Sequence, residues 1–150
     1  MLSLKEHPFA RSLHPRHLEI LLACARRCTT DAGQYIWRQG EQADSLLLIC
    51  SGQVSLEIAI PLQGSLAIET VGPGEVLGWS WLLPDYRWQF DARAITAVDA
   101  ICLNGQSLRD QCERDSTFGY RLLKILTPVV AQKLQATWMR LFELSNPAKR

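Results

Sequence analysis

A chain of 150 residues is long enough to bury one substantial core and too short for two ordinary domains. A hydrophobic share of 47% with 21% charged residues excludes wholesale disorder, and a formal charge of +1 excludes a global field that would draw the chain onto nucleic acid or an anionic membrane. Five scattered cysteines and no secretory-type start predict reduced thiols and a cytoplasmic location, and no apolar run is long enough to cross a bilayer.

Residues 1–14, with Pro8, read as a loose N-terminal extension. From Pro15 to Cys28, Leu18, Leu21, Leu22 and Ala25 recur at three and four, the spacing of one helix face, and 29–33 closes this N-terminal helix with turn chemistry. Cys24 and Cys28 have the spacing of two metal ligands, but no second Cys or His pair matches them, which favours small buried apolar groups. The basic pairs Arg26-Arg27 and Lys149-Arg150 read as solvated surface.

The pattern then changes to short β-branched and aromatic runs at 35–38, 45–50, 53–60, 66–71 and 92–103, separated by Gly, Pro, Asp and Asn. Strands so short and closely spaced, with no long helix between them, predict an antiparallel sandwich or roll. From Ser116 the spacing is helical again, with Asp115 or Ser116 as N-cap. Pro128 removes a backbone donor, so a short helix to about Leu126 and a longer one beyond it, or a marked kink, are expected. Across 129–144, Val129, Val130, Leu134, Trp138, Leu141 and Phe142 exceed what one contact face requires, which predicts a homodimer through this C-terminal helix or a protein partner covering it. The domain is expected to span 15–144, with 145–150 as a tail and no DNA-reading segment, hence no DNA binding by this chain alone.

The densest unusual segment is 71–90, with Gly72, Gly74 and Gly78 followed by Trp79, Trp81, Tyr86, Trp88 and Phe90. Glycines permit positive φ and close backbone approach to a ligand, either as an anion nest or as a plain β-turn. If 86–90 is a strand, Tyr86, Trp88 and Phe90 share one face, there to stack a ligand or to fill the roll interior.

This segment resembles the phosphate-binding cassette of the cyclic-nucleotide-binding domain, the sensor half of the catabolite activator protein and its relatives. Gly33, Ile36, Gly40, Asp44, Ile49, Ser51-Gly52 and Val54 are similar to the turn-strand-turn signature of that β-roll, and 93–97 to the strand after its cassette. The resemblance implies an α+β fold: an antiparallel, jelly-roll-like β-roll (a double-stranded β-helix) with an N-terminal helix and C-terminal helices. It also implies backbone amides and an Arg facing a cyclic phosphate, and a Glu accepting from the ribose hydroxyl. Gly74, Glu75, Val76, Leu77 and Gly78 fall on the cassette, with Glu75 in the ribose role. Counting back from Ala94 and Thr96, Trp88 stands where the Arg is expected and Gln89 where a Ser or Thr is. The only cassette cation, Arg87, is one residue out of register, and one residue reverses a strand side chain. Thr137 resembles the helix Thr that contacts the purine. These departures predict altered or lost cyclic nucleotide binding, with another small anionic ligand as an option.

All three His (His7, His14, His17) precede the β region, so it offers no metal triad and no base for a Ser or Cys nucleophile. The expectation is a regulatory sensor domain without cofactor or catalysis, the alternative being a ligand-independent dimerisation or docking module on the same scaffold.

Overall fold

The computed structural model describes residues 3–145. In chain order these form α1 (Pro8–Arg11), α2 (Pro15–Cys24), β1 (Ala25–Thr30), β2 (Tyr35–Trp37), β3 (Ser45–Ser51), β4 (Val54–Ile60), β5 (Gly64–Val71), β6 (Val76–Leu77), a 3-10 turn (Ser80–Leu82), β7 (Asp91–Ala94), β8 (Val98–Asn104), α3 (Gly105–Arg114) and α4 (Ser116–Ser145). Two antiparallel four-stranded sheets, ordered β1-β8-β3-β6 and β2-β7-β4-β5, face each other, with helices before and after them. This is the α+β roll that the short strands and tight turns imply.

Strand residues point alternately to opposite faces, so the unbroken apolar runs of β3 and β8 require cover on both sides. Leu47, Ile49, Ala100 and Cys102 face the second sheet and pack with Val54, Leu56, Ala92 and Ala94. Leu46, Leu48, Ile101 and Leu103 face outward onto Leu21, Leu108, Phe118, Leu122 and Leu126 of the helices. Gly52, in the turn between β3 and β4, has φ +91°, and a Cβ there would lie 2.2 Å from the Ala97 carbonyl oxygen. Only glycine fits that crossing.

Five expectations are corrected. Residues 3–14 are not loose: Leu4, Phe9, Ala10 and Leu13 are buried in the helix-side core. His7 caps α1 by accepting the Phe9 amide on Nδ1, and its Nε2 donates to the Ile49 carbonyl at 3.1 Å. The helix from Pro15 stops at Cys24, because 25–30 pairs with 98–103 of β8, and strand pairing overrides the helical spacing. The run 92–103 is two strands, parted at 95–97, where Ile95 donates to the Gln53 carbonyl and Thr96 accepts the Gln53 amide. An additional helix, α3, follows Asn104, whose side chain caps it at the Ser107 amide; it buries only Gly105 and Leu108 fully, too few apolar positions to show a periodicity. Pro128 does not break α4, which is continuous from Ser116 to Ser145. The carbonyl left without a donor belongs to Lys124, an exposed residue on the solvent side of the helix.

Asp115 is the N-cap of α4, its Oδ1 accepting from Thr117 and Phe118 at 3.1 and 3.2 Å. Of the expected tail only Ser145 is described, at the end of α4; 146–150, with Lys149-Arg150, lie outside the described residues. No described helix is long and apolar enough to cross a membrane.

Candidate functional site

The segment 71–90 leaves β5 through a turn, adds the two-residue strand β6 to the edge of β3, and returns along the 40–43 loop to β7. Gly74 takes φ +83° in the turn, and Glu75 closes it by accepting the Gly72 amide at 2.5 Å. Glu75 is exposed and folded back on its own turn. Val76 is buried in the helix-side core and Leu77 between the sheets, as alternation along a strand requires.

Residues 86–90 form no regular strand, so the expected common face for Tyr86, Trp88 and Phe90 does not exist. Tyr86 has φ +45°, Arg87 makes an isolated bridge to Gln42, and Trp88 exchanges backbone hydrogen bonds with Gly40 and Glu41. Each aromatic therefore has its own destination. Tyr86 lies under the guanidinium of Arg109, 4.2 Å from its ring centroid. Trp88, 3% exposed, enters the layer between the sheets and stacks on Trp37 with centroids 3.6 Å apart and planes within 3°. Phe90 meets Trp79 at 5.3 Å. Trp81 goes to the opposite core and is fully buried, its indole donating to the Gly78 carbonyl at 3.3 Å.

Gly78 is where backbone and aromatic rings meet. Its φ is +98°, and a Cβ would lie 2.9 Å from the Trp88 ring and 3.2 Å from Trp37. The two indoles thus occupy the space beside the cassette backbone.

Along β4 the face that turns inward runs Val54, Leu56, Ile58. Val54 and Leu56 are covered by the other sheet; at Ile58 that cover ends and α4 takes over, leaving a cleft of about 310 Å3. Its walls are Leu56, Ile58 and Ile68 from β4 and β5, Val130, Leu134 and Thr137 from α4, and Trp79, Gln89 and Phe90 from the cassette segment. The charged groups that line it neutralise each other: Lys133 Nζ stands 3.0 Å from Glu69 Oε2, with the lysine side chain 9% exposed. Thr137 donates its hydroxyl proton to the Lys133 carbonyl at 2.9 Å, and Gln89 gives an amide proton to the Arg87 carbonyl at 3.1 Å.

Of the residues singled out from sequence, Gln89 and Thr137 come together in this cleft. Glu75 and Arg87 do not line it, and Arg87 instead donates to the Gly40 carbonyl at 3.2 Å on the surface. Trp88 is inward, as the register count allowed. The Lys133–Glu69 pair and the place of Trp79 were not legible in the sequence. Trp79, the residue after Gly78, lines the cleft, whereas Glu75, the residue after Gly74, does not.

A larger cleft, about 430 Å3, has Trp37 and Trp88 in its wall together with Arg26, Cys28, Glu41, Asp44 and Cys102. Two carboxylates against one guanidinium make it a poor anion site. Within it, hydrogen bonding from Cys28 holds the Cys102 thiol below its ordinary range, while Cys28, sharing its proton, is pushed up. All five cysteines are free. Among the described residues no group of three His, Cys, Asp or Glu is placed to hold a metal ion.

The model of the family described as "Cyclic nucleotide-binding domain" matches residues 27–115. No curated protein matches the chain. Among solved structures it is similar to a cyclic nucleotide-binding protein candidate from Geobacter metallireducens GS-15, with TM-score 0.78 and 26% identity over 89% of this chain and 99% of that one. A cyclic nucleotide-binding domain from Methylobacillus flagellatus KT gives TM-score 0.76 at 19% identity, over 87% and 73% of the two chains. The Thermus thermophilus catabolite activator protein gives 0.71 at 24%, over 92% of this chain and 63% of that one.

Proposed function

The chain belongs to the cyclic nucleotide-binding domain family, and from that premise we propose that it is a regulatory sensor domain, not an enzyme, whose nucleotide site is altered so that cyclic nucleotides no longer bind. The observation that carries this reading is the position of Trp88. It stands where the family resemblance places the phosphate-pairing Arg, and its ring is locked against Trp37 and Gly78. A cyclic phosphate there would lack a charge-assisted partner contributing ~1.5–3 kcal/mol. Arg87, the nearest cation in sequence, is committed to the Gly40 carbonyl, and Lys133 is neutralised by Glu69. The ribose-acceptor role has no carboxylate in the cleft to fill it other than Glu69, which is already paired with Lys133.

The output is proposed to run through a homodimer along α4. Leu134, Trp138 and Leu141 are 58%, 69% and 58% exposed, more apolar surface than one helix face leaves to water. The same face supports the second reading, a module that dimerises or docks a protein without any ligand. No duplex DNA binding is proposed for residues 1–150, because the charge is balanced and no described helix carries a basic stripe. Calorimetric titration with cyclic AMP and cyclic GMP tests the altered site: no saturable heat is expected with ligand up to about 1 mM, where binding is worth ~4 kcal/mol, and a Kd well below that rejects the reading.

A further inference from the structure

The cleft beneath α4 remains open although the neighbouring space beside the cassette backbone is filled, and the chemistry of its walls selects a ligand. We infer that it takes a small, flat, uncharged aromatic molecule carrying one hydrogen-bond donor. This rests on the reading that cyclic nucleotides no longer bind, and it names what replaces them.

Three observations carry the inference. The walls are aliphatic on the sheet side, with Leu56, Ile58 and Ile68, and aromatic where Trp79 and Phe90 pack on each other at 5.3 Å and together present a wall against which a ring can lie. The charge is already balanced, because Lys133 and Glu69 meet at 3.0 Å, so an anion entering this space would be buried without an unpaired cation to meet it. The third observation is polarity at one spot. Thr137 has given its proton to the Lys133 carbonyl, so its oxygen offers only lone pairs, and an N–H or O–H on the ligand is the group that satisfies it. At about 310 Å3 the space lies at the lower end of small-molecule pockets, which sets the size at two or three fused or linked rings.

The probe is N-phenyl-1-naphthylamine, a neutral two-part aromatic with one N–H, whose fluorescence rises on leaving water. The unmodified protein is expected to bind it saturably, one per chain. 8-Anilinonaphthalene-1-sulfonate, the same frame with an added negative charge, should bind at least tenfold more weakly. Thr137→Phe, which fills the cleft from the side of α4 that lines it, and Ile58→Lys, which places a charge in its wall, should each weaken the neutral probe at least tenfold. Leu141→Ser, on the outer surface of α4, should leave it unchanged. Loss on Leu141→Ser with retention in both cleft variants would place the probe on the dimer face and overturn the inference, as would sulfonate binding as tight as the neutral probe or no binding at all. None of these touches the parent reading. Displacement of the probe by 1 mM cyclic AMP is the outcome that overturns the parent reading itself.

Discussion

At one end of the site, Trp88 lies flat on Trp37 with its edge against Gly78; at the adjoining end, beyond Leu56 and Ile58, α4 replaces the second sheet and a cleft remains. Both ends are furnished by the same stretch, 78–90, yet its aromatics do opposite things. Trp88 is nearly without solvent contact and serves packing, whereas Trp79 and Phe90 are half-buried and line open space. The difference separates two consequences of losing a ligand's charged partner: a site can be closed by its replacement, or it can stay open and change the chemistry it accepts. On the proposed function, each occurs at a different end of this site.

Mutation of the closed end should cost stability, and mutation of the open end should not. Trp88→Ala removes a stacked, buried indole and is expected to cost ~3–5 kcal/mol, read as a lower midpoint in urea. Trp79→Ala, at the open end, should cost less than about half of that; equal losses would erase the distinction between the two ends. Gly78→Ala combines a left-handed φ with a Cβ 2.9 Å from Trp88, and is expected to cost roughly 2–4 kcal/mol. If the indoles shift to admit the methyl group at no cost, the packing there is looser than described.

A smaller effect concerns the surface that borders the open end. Trp138→Asp places a charge on the exposed face of α4 and should weaken self-association by about 2 kcal/mol, seen by light scattering as a dimer-to-monomer shift at micromolar concentration. A monomer in the unmodified protein would remove the proposed output route and leave the cleft reading intact.

The smallest effect is with pH. Burial, the largest cause, lowers the pKa of His7 and of His17 beneath the ordinary value of 6.5. In each case the unfolded chain takes up a proton at a higher pH than the folded one, so stability is full above about 6.5 and falls as pH drops below it. Thermal unfolding from pH 8 to 5 should show this decline. His7→Asn should flatten part of it, while variants of the cleft should not.

How far these features could be read from sequence depends on how locally each is encoded. The β3 and β8 runs were legible because burial on both faces leaves continuous apolar stretches. The end of α2 was not, since Ala25 continues the helical spacing and only pairing with β8 turns 25–30 into a strand. The packing of Leu4 and Phe9 onto the helix-side core was hidden because their partners are distant in the chain. At the site, the inward Trp88 was accessible by counting from Ala94. The position of Trp79 was not legible, because it follows Gly78, whose left-handed φ and contact with Trp88 and Trp37 are set by packing. Lys133 looked like one more polar residue of a helix, and its meaning depends on Glu69 across the cleft.

The contrast between the two ends can be read in one experiment on the indole N–H signals of the five tryptophans, Trp37, Trp79, Trp81, Trp88 and Trp138, each assigned by its Trp→Phe variant in a 15N–1H correlation spectrum. Cyclic AMP at 1 mM is expected to move none of them, and N-phenyl-1-naphthylamine to move Trp79 while Trp37 and Trp88 stay in place. Saturable shifts of Trp37 or Trp88 with cyclic AMP would contradict the account, because they would mean that the closed end opens to the nucleotide.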